Sequence, residues 1–254
     1  LRAIAESELS FSHADGTSGG SINLAMWLSG LSPRDICDRW RTLPIHDLTS
    51  LFPIQKFLKG PLPPANGHSE EIRDKLFPHL GMNLTRVNAA EGIEGTFNIC
   101  NFTRKTNEVI SHRDLTLDLL VAGISLPMMM PPVHQGDDFY TDSVWIQSAN
   151  LMEAVRRGAE EIWVIWCLGN TPQYKSGFFD QYVHMIEMSA HGALHGEFER
   201  IRELNARIVR GESPYGQRQP IVVHLIKPEK LLPLGPDLYM DCINPGTLID
   251  MGYA

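Results

Sequence analysis

Five residues, Gly16-Thr17-Ser18-Gly19-Gly20, constrain this chain more than any other stretch. Their order is G-x-S-x-G, in which a serine sits exposed on a sharp turn between a strand and a helix, and the flanking glycines keep side chains out of its way. Downstream, Ile22, Ala25, Met26 and Leu28 recur at helical spacing, and Gly30 stands where a C-terminal cap belongs. Ser18 therefore falls at a helix N-terminus. The unpaired N–H groups and positive dipole end found there stabilise the negative charge that develops in acyl transfer. A phosphate-cradling loop fits poorly, because Ser18 stands where the second glycine of G-x-G-x-x-G would be and no Gly-Lys-Ser/Thr follows.

The 254 residues carry no linker-like division, which predicts one large α/β domain over 1–254. A net charge of -8 with scattered basic residues argues against a nucleic-acid partner. The densest basic cluster, Glu197 to Arg210, alternates arginine with glutamate as a solvated helix face does. The cysteines Cys37, Cys100, Cys167 and Cys242 lie far apart and read as reduced and buried. No basic-apolar-small leader opens the chain, and the apolar stretch Leu115 to Val133 is broken by Asp118, Pro127, Pro131 and Pro132, so a cytoplasmic location is expected. The chain begins at Leu1 rather than a methionine, which favours an omitted upstream piece.

Leu9 to Ala14 reads as a short, unusually polar strand leading into the serine turn. Ser32-Pro33-Arg34-Asp35 opens a second helix with a capping box. Pro44 to His68 holds too many helix and strand breakers for a long element and reads as a covering loop or lid, after which Ser69 starts a helix ending near Gly81. Thr96 to Phe102 and Glu108 to Ser111 predict a hairpin, and Leu115 to Ala122 a helix stopped by Gly123. Further on come a helix Leu151 to Arg157, an interior strand Ile162 to Leu168, a long helical region Asp180 to Val209, a strand Ile221 to Ile226 and a terminal helix from Asn244 to Gly252.

A serine hydroxyl needs a base, ordinarily a histidine oriented by an acid. Ten histidines leave several options, and Ser18-Asp142-His224 has the order of a hydrolase triad, although a serine at position 18 leaves little sheet upstream. Asp142 alone, after Gly136-Asp137-Asp138-Phe139-Tyr140-Thr141, also reads as a solvated turn acid.

Two blocks bring a resemblance into view. Gly16 to Asn23 (GTSGGSIN) is similar to the nucleophile turn of the patatin-like phospholipases. Ala122-Gly123-Ile124-Ser125-Leu126-Pro127, Pro131-Pro132-Val133 and Phe139 to Val144 resemble that family's second block, in the right order. Asn150 to Ala154, Arg157 to Ile162 and Leu248 to Tyr253 also look like the family. The resemblance implies an α/β fold of three layers, α/β/α, around a central mostly parallel sheet. It further implies a lipid acyl hydrolase working through a Ser-Asp dyad without histidine, with Ser18 as nucleophile, Asp142 as base and the Gly19 N–H in the oxyanion hole. Gly16 and Gly20 would frame the nucleophile turn. No cofactor and no metal are implied, and the partners would be a lipid or other acyl ester and, transiently, a membrane surface. Two departures stand out: nothing before Gly16 resembles the family's glycine-rich oxyanion turn, and Asp142-Ser143-Val144 replaces Asp-Gly-Gly or Asp-Gly-Ala. They motivate a second reading, a patatin-fold binding protein with impaired catalysis.

Two further clusters belong in the same account. His184, Glu187, His191 and His195 share one helical face at spacings a metal site uses, although the helix reads as exposed. Met128, Met129 and Met130 fit either a core or an acyl-chain pocket.

Overall fold

The computed structural model describes residues 1–7, 9–43, 68–168, 174, 176–229 and 245–253. The predicted lid falls mostly outside these residues, as do Cys242 and the first residue of the terminal helix. The chain divides into two compact units, Leu1–Ser143 with Pro233–Ala254 and Val144–Leu232.

The first unit is built on β2 (Glu94–Asn101), whose residues from Gly95 onward are all buried. Around it, in chain order, stand α1 (Arg2–Glu6), β1 (His13–Thr17), α2 (Gly19–Leu28), α3 (Pro33–Arg41), helical turns over 68–80 and α4 (Leu84–Asn88), all preceding β2. After it come β3 (Thr106–Ser111), α5 (Leu117–Ala122), β4 (Val133–Gln135) and β5 (Asp138–Asp142). The predicted hairpin is present as β2 and β3, antiparallel from Thr96↔Ser111 to Asn101↔Thr106. β1 runs parallel to β2, from His13↔Glu94 to Thr17↔Asn98, and β5 runs antiparallel to it, from Ile99↔Asp142 to Asn101↔Tyr140. β4 extends the sheet beyond β5. The first strand starts later than its sequence suggests, because His13 is the first residue with a rung on β2.

α2 carries buried Ser21, Ile22, Leu24, Ala25, Met26 and Leu28, so it is a core helix rather than a helix with one apolar stripe. It ends at Ser29, and Gly30 takes the left-handed φ of 88° that a glycine there permits. α3 opens with the predicted capping box: the Ser32 hydroxyl accepts from the Asp35 N–H, and the Asp35 carboxylate accepts from the Ser32 N–H. The Ser32 hydroxyl, which also donates to the Asp35 carboxylate at 2.6 Å, and after it the Ser32 N–H hold the Asp35 carboxyl below its ordinary pKa.

The second unit packs α6 (Leu151–Arg156), β6 (Glu161–Ile165), the 32-residue α7 (Phe178–Val209) and β7 (Val222–Ile226) around Val155, Val164, Trp166, Ala190, Leu194 and Ile201. β6 and β7 pair in parallel. The apolar run Ile162 to Leu168 predicts a strand buried on both faces. Instead β6 buries Ile162 and Val164 and leaves Glu161 and Ile165 exposed, and β7 is its partner among the described residues. Most of the charged face of α7 is solvated, as in the Glu199–Arg202 pair, but Glu197 is buried and accepts from the Met152 N–H at 2.8 Å, closing the N-terminus of α6. α8 (Pro245–Tyr253) belongs to the first unit, and its Tyr253 hydroxyl donates to Glu6 on α1.

Among the described cysteines Cys100 is buried, Cys37 half-buried and Cys167 exposed, and all three are unpaired thiols. The expectation of uniform burial is corrected for Cys167, which follows the end of β6 where the strand leaves the sheet. Among the described residues no helix is long and apolar enough to cross a membrane.

Gly95 is where β2 meets α2: a Cβ there would lie 2.6 Å from Leu28 Cδ1 and 3.3 Å from His112 Cβ. Gly95→Val is expected to destabilise the first unit by about 1–3 kcal/mol, the usual cost of overpacking, read as a lower urea midpoint at unchanged slope.

Candidate active site

Every rung of β2 from Thr96 to Asn101 already has β3 on one side. β1 and β5 must therefore share the opposite edge, and they meet there end to end. Thr17, the last residue of β1, pairs with Asn98, and Asp142, the last residue of β5, pairs with Ile99. These are consecutive rungs, about 3.3 Å apart along the strand. Had β1 continued by one residue, Ser18 would occupy the rung that Asp142 holds. The chain turns away instead, which leaves Ser18 and Asp142 at the adjoining ends of β1 and β5.

The turn at Ser18 is strained. Its φ of 54° and ψ of -126° lie where only glycine rests without cost, and a residue held in such a conformation costs about 1–3 kcal/mol. Ser18 is also the N-cap of α2, yet its hydroxyl does not cap the helix. The first N–H groups of α2, that of Gly19 included, have no helical acceptor by geometry and open toward the turn. The three glycines differ in what they do. A Cβ on Gly16 would sit 2.9 Å from Ser21 Cα and 3.0 Å from Gly20 O, so the strand can approach the helix backbone only without a side chain. Gly19 and Gly20 have open space where a Cβ would point.

Asp142 is fully buried and its N–H donates to Ser125 O at 2.9 Å; the Thr141 hydroxyl donates to the same carbonyl. Ser125 is anchored in turn to Val121 O at 2.8 Å, so the Ala122-to-Pro127 block holds the end of β5. The reading of Asp142 as a solvated turn acid is corrected by its burial. Ser143 is also fully buried, its hydroxyl donating to Asn107, and Ser143–Trp145 forms a 3-10 turn without a positive φ, so the chain leaves Asp142 without needing a glycine. Burial, and after it the Asp142 carboxylate, pushes the neighbouring Cys100 thiol up, which keeps it a poor nucleophile.

The described histidines are engaged in different places. His13 on β1 contacts Thr96 Oγ1 at 2.7 Å through Nε2; because that hydroxyl donates to Asp15 at 2.6 Å, His13 is the donor. His224 lies in the second unit, stacked on Trp163 with Nε2 3.0 Å from Glu161. His134 packs against the Phe139 ring, and His112 is buried between Gly95 and Ala90. On α7, His184 faces Glu187, His191 tilts against Trp166 and His195 is exposed beside Glu199. Among the described residues no group of three or more His, Cys, Asp or Glu is arranged to hold a metal ion, so the spacing on α7 does not become a cluster. Met129 and Met130 are buried, whereas Met128 is half exposed with φ 70°.

The family model described as patatin-like phospholipase matches residues 1–155. The chain belongs to the patatin-like phospholipases. The match takes in both Ser18 and Asp142 and ends inside α6; the patatin-like residues noted at 157–162 and 248–253 lie beyond it. The fold is α/β as the family requires, with the crossover pairs β1–β2 and β6–β7 parallel and hairpins adding the antiparallel strands. No match to a curated protein was found. One feature that the sequence motifs do not single out is the polar side chains of β1 and β2. Asp15, Thr17, Thr96 and Asn98 share one face, Thr96 and Asn98 being fully buried. Their alternation with Phe97 and Ile99 is visible in the sequence and is the signal that could have marked them.

Gly16→Ala is expected to disrupt the turn and lower both stability and activity, while Gly20→Ala is tolerated in stability. Ser18→Gly should relieve the strained φ, raising stability by about 1 kcal/mol as activity disappears, which paired melting and ester-hydrolysis assays would read.

Proposed function

We propose that this patatin-like protein is a serine lipid acyl hydrolase, of esterase or phospholipase A type, acting through Ser18 and Asp142. The single observation that carries the reading is the end-to-end meeting of β1 and β5 on one edge of β2, which leaves a strained serine and a buried aspartate at adjoining strand ends. The Ser18 oxygen attacks the ester carbonyl as its proton passes to the Asp142 carboxylate. The oxyanion that forms is met by the Gly19 N–H at the positive end of α2. When the tetrahedral species collapses, the ester C–O bond breaks and the leaving alcohol takes the proton from Asp142. Water then attacks the acyl-serine, giving its proton to Asp142, and the fatty acid departs as the proton returns to Ser18. The open space beside Gly19 and Gly20 is compatible with this reading, since no side chain crowds the first residues of α2 next to Ser18. The second reading, a binding protein with impaired catalysis, is an outcome of the same test.

Ser18→Ala and Asp142→Asn are each expected to lower turnover of a p-nitrophenyl ester by at least about 10³-fold with the fold intact by circular dichroism. A fluorophosphonate should label the wild type and His224→Ala but not Ser18→Ala. Loss of labelling in His224→Ala equal to that in Asp142→Asn would restore the triad, and a wild type that takes no label would favour the binding protein.

A further inference from the structure

From Ser143 to Gly16 a chain of side-chain hydrogen bonds runs across three strands of the first unit. The Ser143 hydroxyl donates to Asn107 Oδ1. Asn107 Nδ2 donates to Asn98 Oδ1 at 3.0 Å. Asn98 Nδ2 donates to Thr17 Oγ1 at 3.1 Å and reaches Gly16 O at 3.4 Å, as well as Asp15 Oδ1. Neither amide can turn over. The nitrogen of Asn98 faces a carboxylate, a carbonyl and a hydroxyl, and its oxygen faces an amide nitrogen, so a flip would set acceptor against acceptor. Ser143 and Asn98 are fully buried, where an unmade hydrogen bond is costly and bonds in series reinforce one another.

What the chain joins matters most. Thr17 immediately precedes Ser18, and Ser143 immediately follows Asp142. The sheet itself does not connect β1 to β5 by rungs, because the two strands abut on one edge of β2 and pair only with β2 there. We infer that Asn98, Asn107 and Ser143 are positioning residues that clamp the flanks of Ser18 and Asp142, setting the separation of the two groups across the junction. The inference rests on the Ser18–Asp142 reading and deepens it. Ser143, where the family has glycine, is then the outer end of the clamp and not a lesion in the site.

The test compares the wild type, Ser143→Ala, Asn107→Ala and the double variant, with Ser111→Ala as a control. Ser111 bonds Glu94 at 3.1 Å on the same sheet, away from the junction. Each clamp variant is expected to lower kcat on a p-nitrophenyl ester about 10- to 100-fold with KM within about twofold, as slight misplacement of reacting groups does. The double variant should fall no further than the lower single, and Ser111→Ala should keep the wild-type kcat. Fluorophosphonate labelling of Ser18 should slow in the same order, and urea unfolding should show Asn107 and Ser143 coupled. Wild-type kcat in both single variants, with the wild type still labelled at Ser18, overturns the clamp and leaves the nucleophile reading standing. Additive urea effects overturn the hydrogen-bond chain itself. A wild type that neither turns over ester nor takes the probe overturns the Ser18 reading and the clamp with it.

Discussion

The first unit depends on the occupancy of one strand's two edges. β3 takes one side of β2 from Thr96 to Asn101, and the other side has to serve two strands that approach from opposite directions. Backbone N–H and C=O groups in a buried strand must be paired, so β1 and β5 advance until they meet at Asn98 and Ile99, and both must leave the sheet at that point. The sharp turn at Ser18 and the 3-10 turn at Ser143 are the two exits. Each chain end is fixed by the other, which is how residues more than a hundred positions apart come to adjoin.

The strain at Ser18 follows from that constraint and is held in place by packing. α2 is buried nearly all round, and its backbone lies against Gly16 too closely for a Cβ. The helix cannot drift away to relax the serine without giving up the core contacts of Ile22, Leu24, Met26 and Leu28, each worth roughly 1.5–3 kcal/mol of buried surface. A local cost of about 1–3 kcal/mol in φ is thus outweighed several-fold.

Beneath the turn, the polar face of β1 and β2 does what an apolar face could not. Apolar packing is tolerant of small shifts, whereas amides with fixed donors and acceptors tie particular atoms together. The bonds of Asn98 and Asn107 end on Thr17 and Ser143, the residues beside Ser18 and Asp142, so the specificity of hydrogen bonding falls where two strand ends lack rungs to each other.

By itself the sequence determined the local elements. The G-x-S-x-G turn, the α2 periodicity, the Ser32–Asp35 capping box, the hairpin over Thr96 to Ser111 and the long helix before Val209 were all legible, because each is written in residues a few positions apart. Family membership was legible too, from two blocks in order. The meeting of β1 and β5 on one edge was decided only by the tertiary structure, since edge occupancy depends on which strand reaches β2 from each side. So were the burial of Asp142 and Ser143, which sequence neighbours rich in aspartate and glycine disguise as a solvated turn, and the one-sided burial of β6, whose apolar run reads the same whether one face or two are covered. The clamp through Asn98 and Asn107 was hidden for the same reason: a buried asparagine and a turn asparagine look alike until the partners of their amide atoms are known.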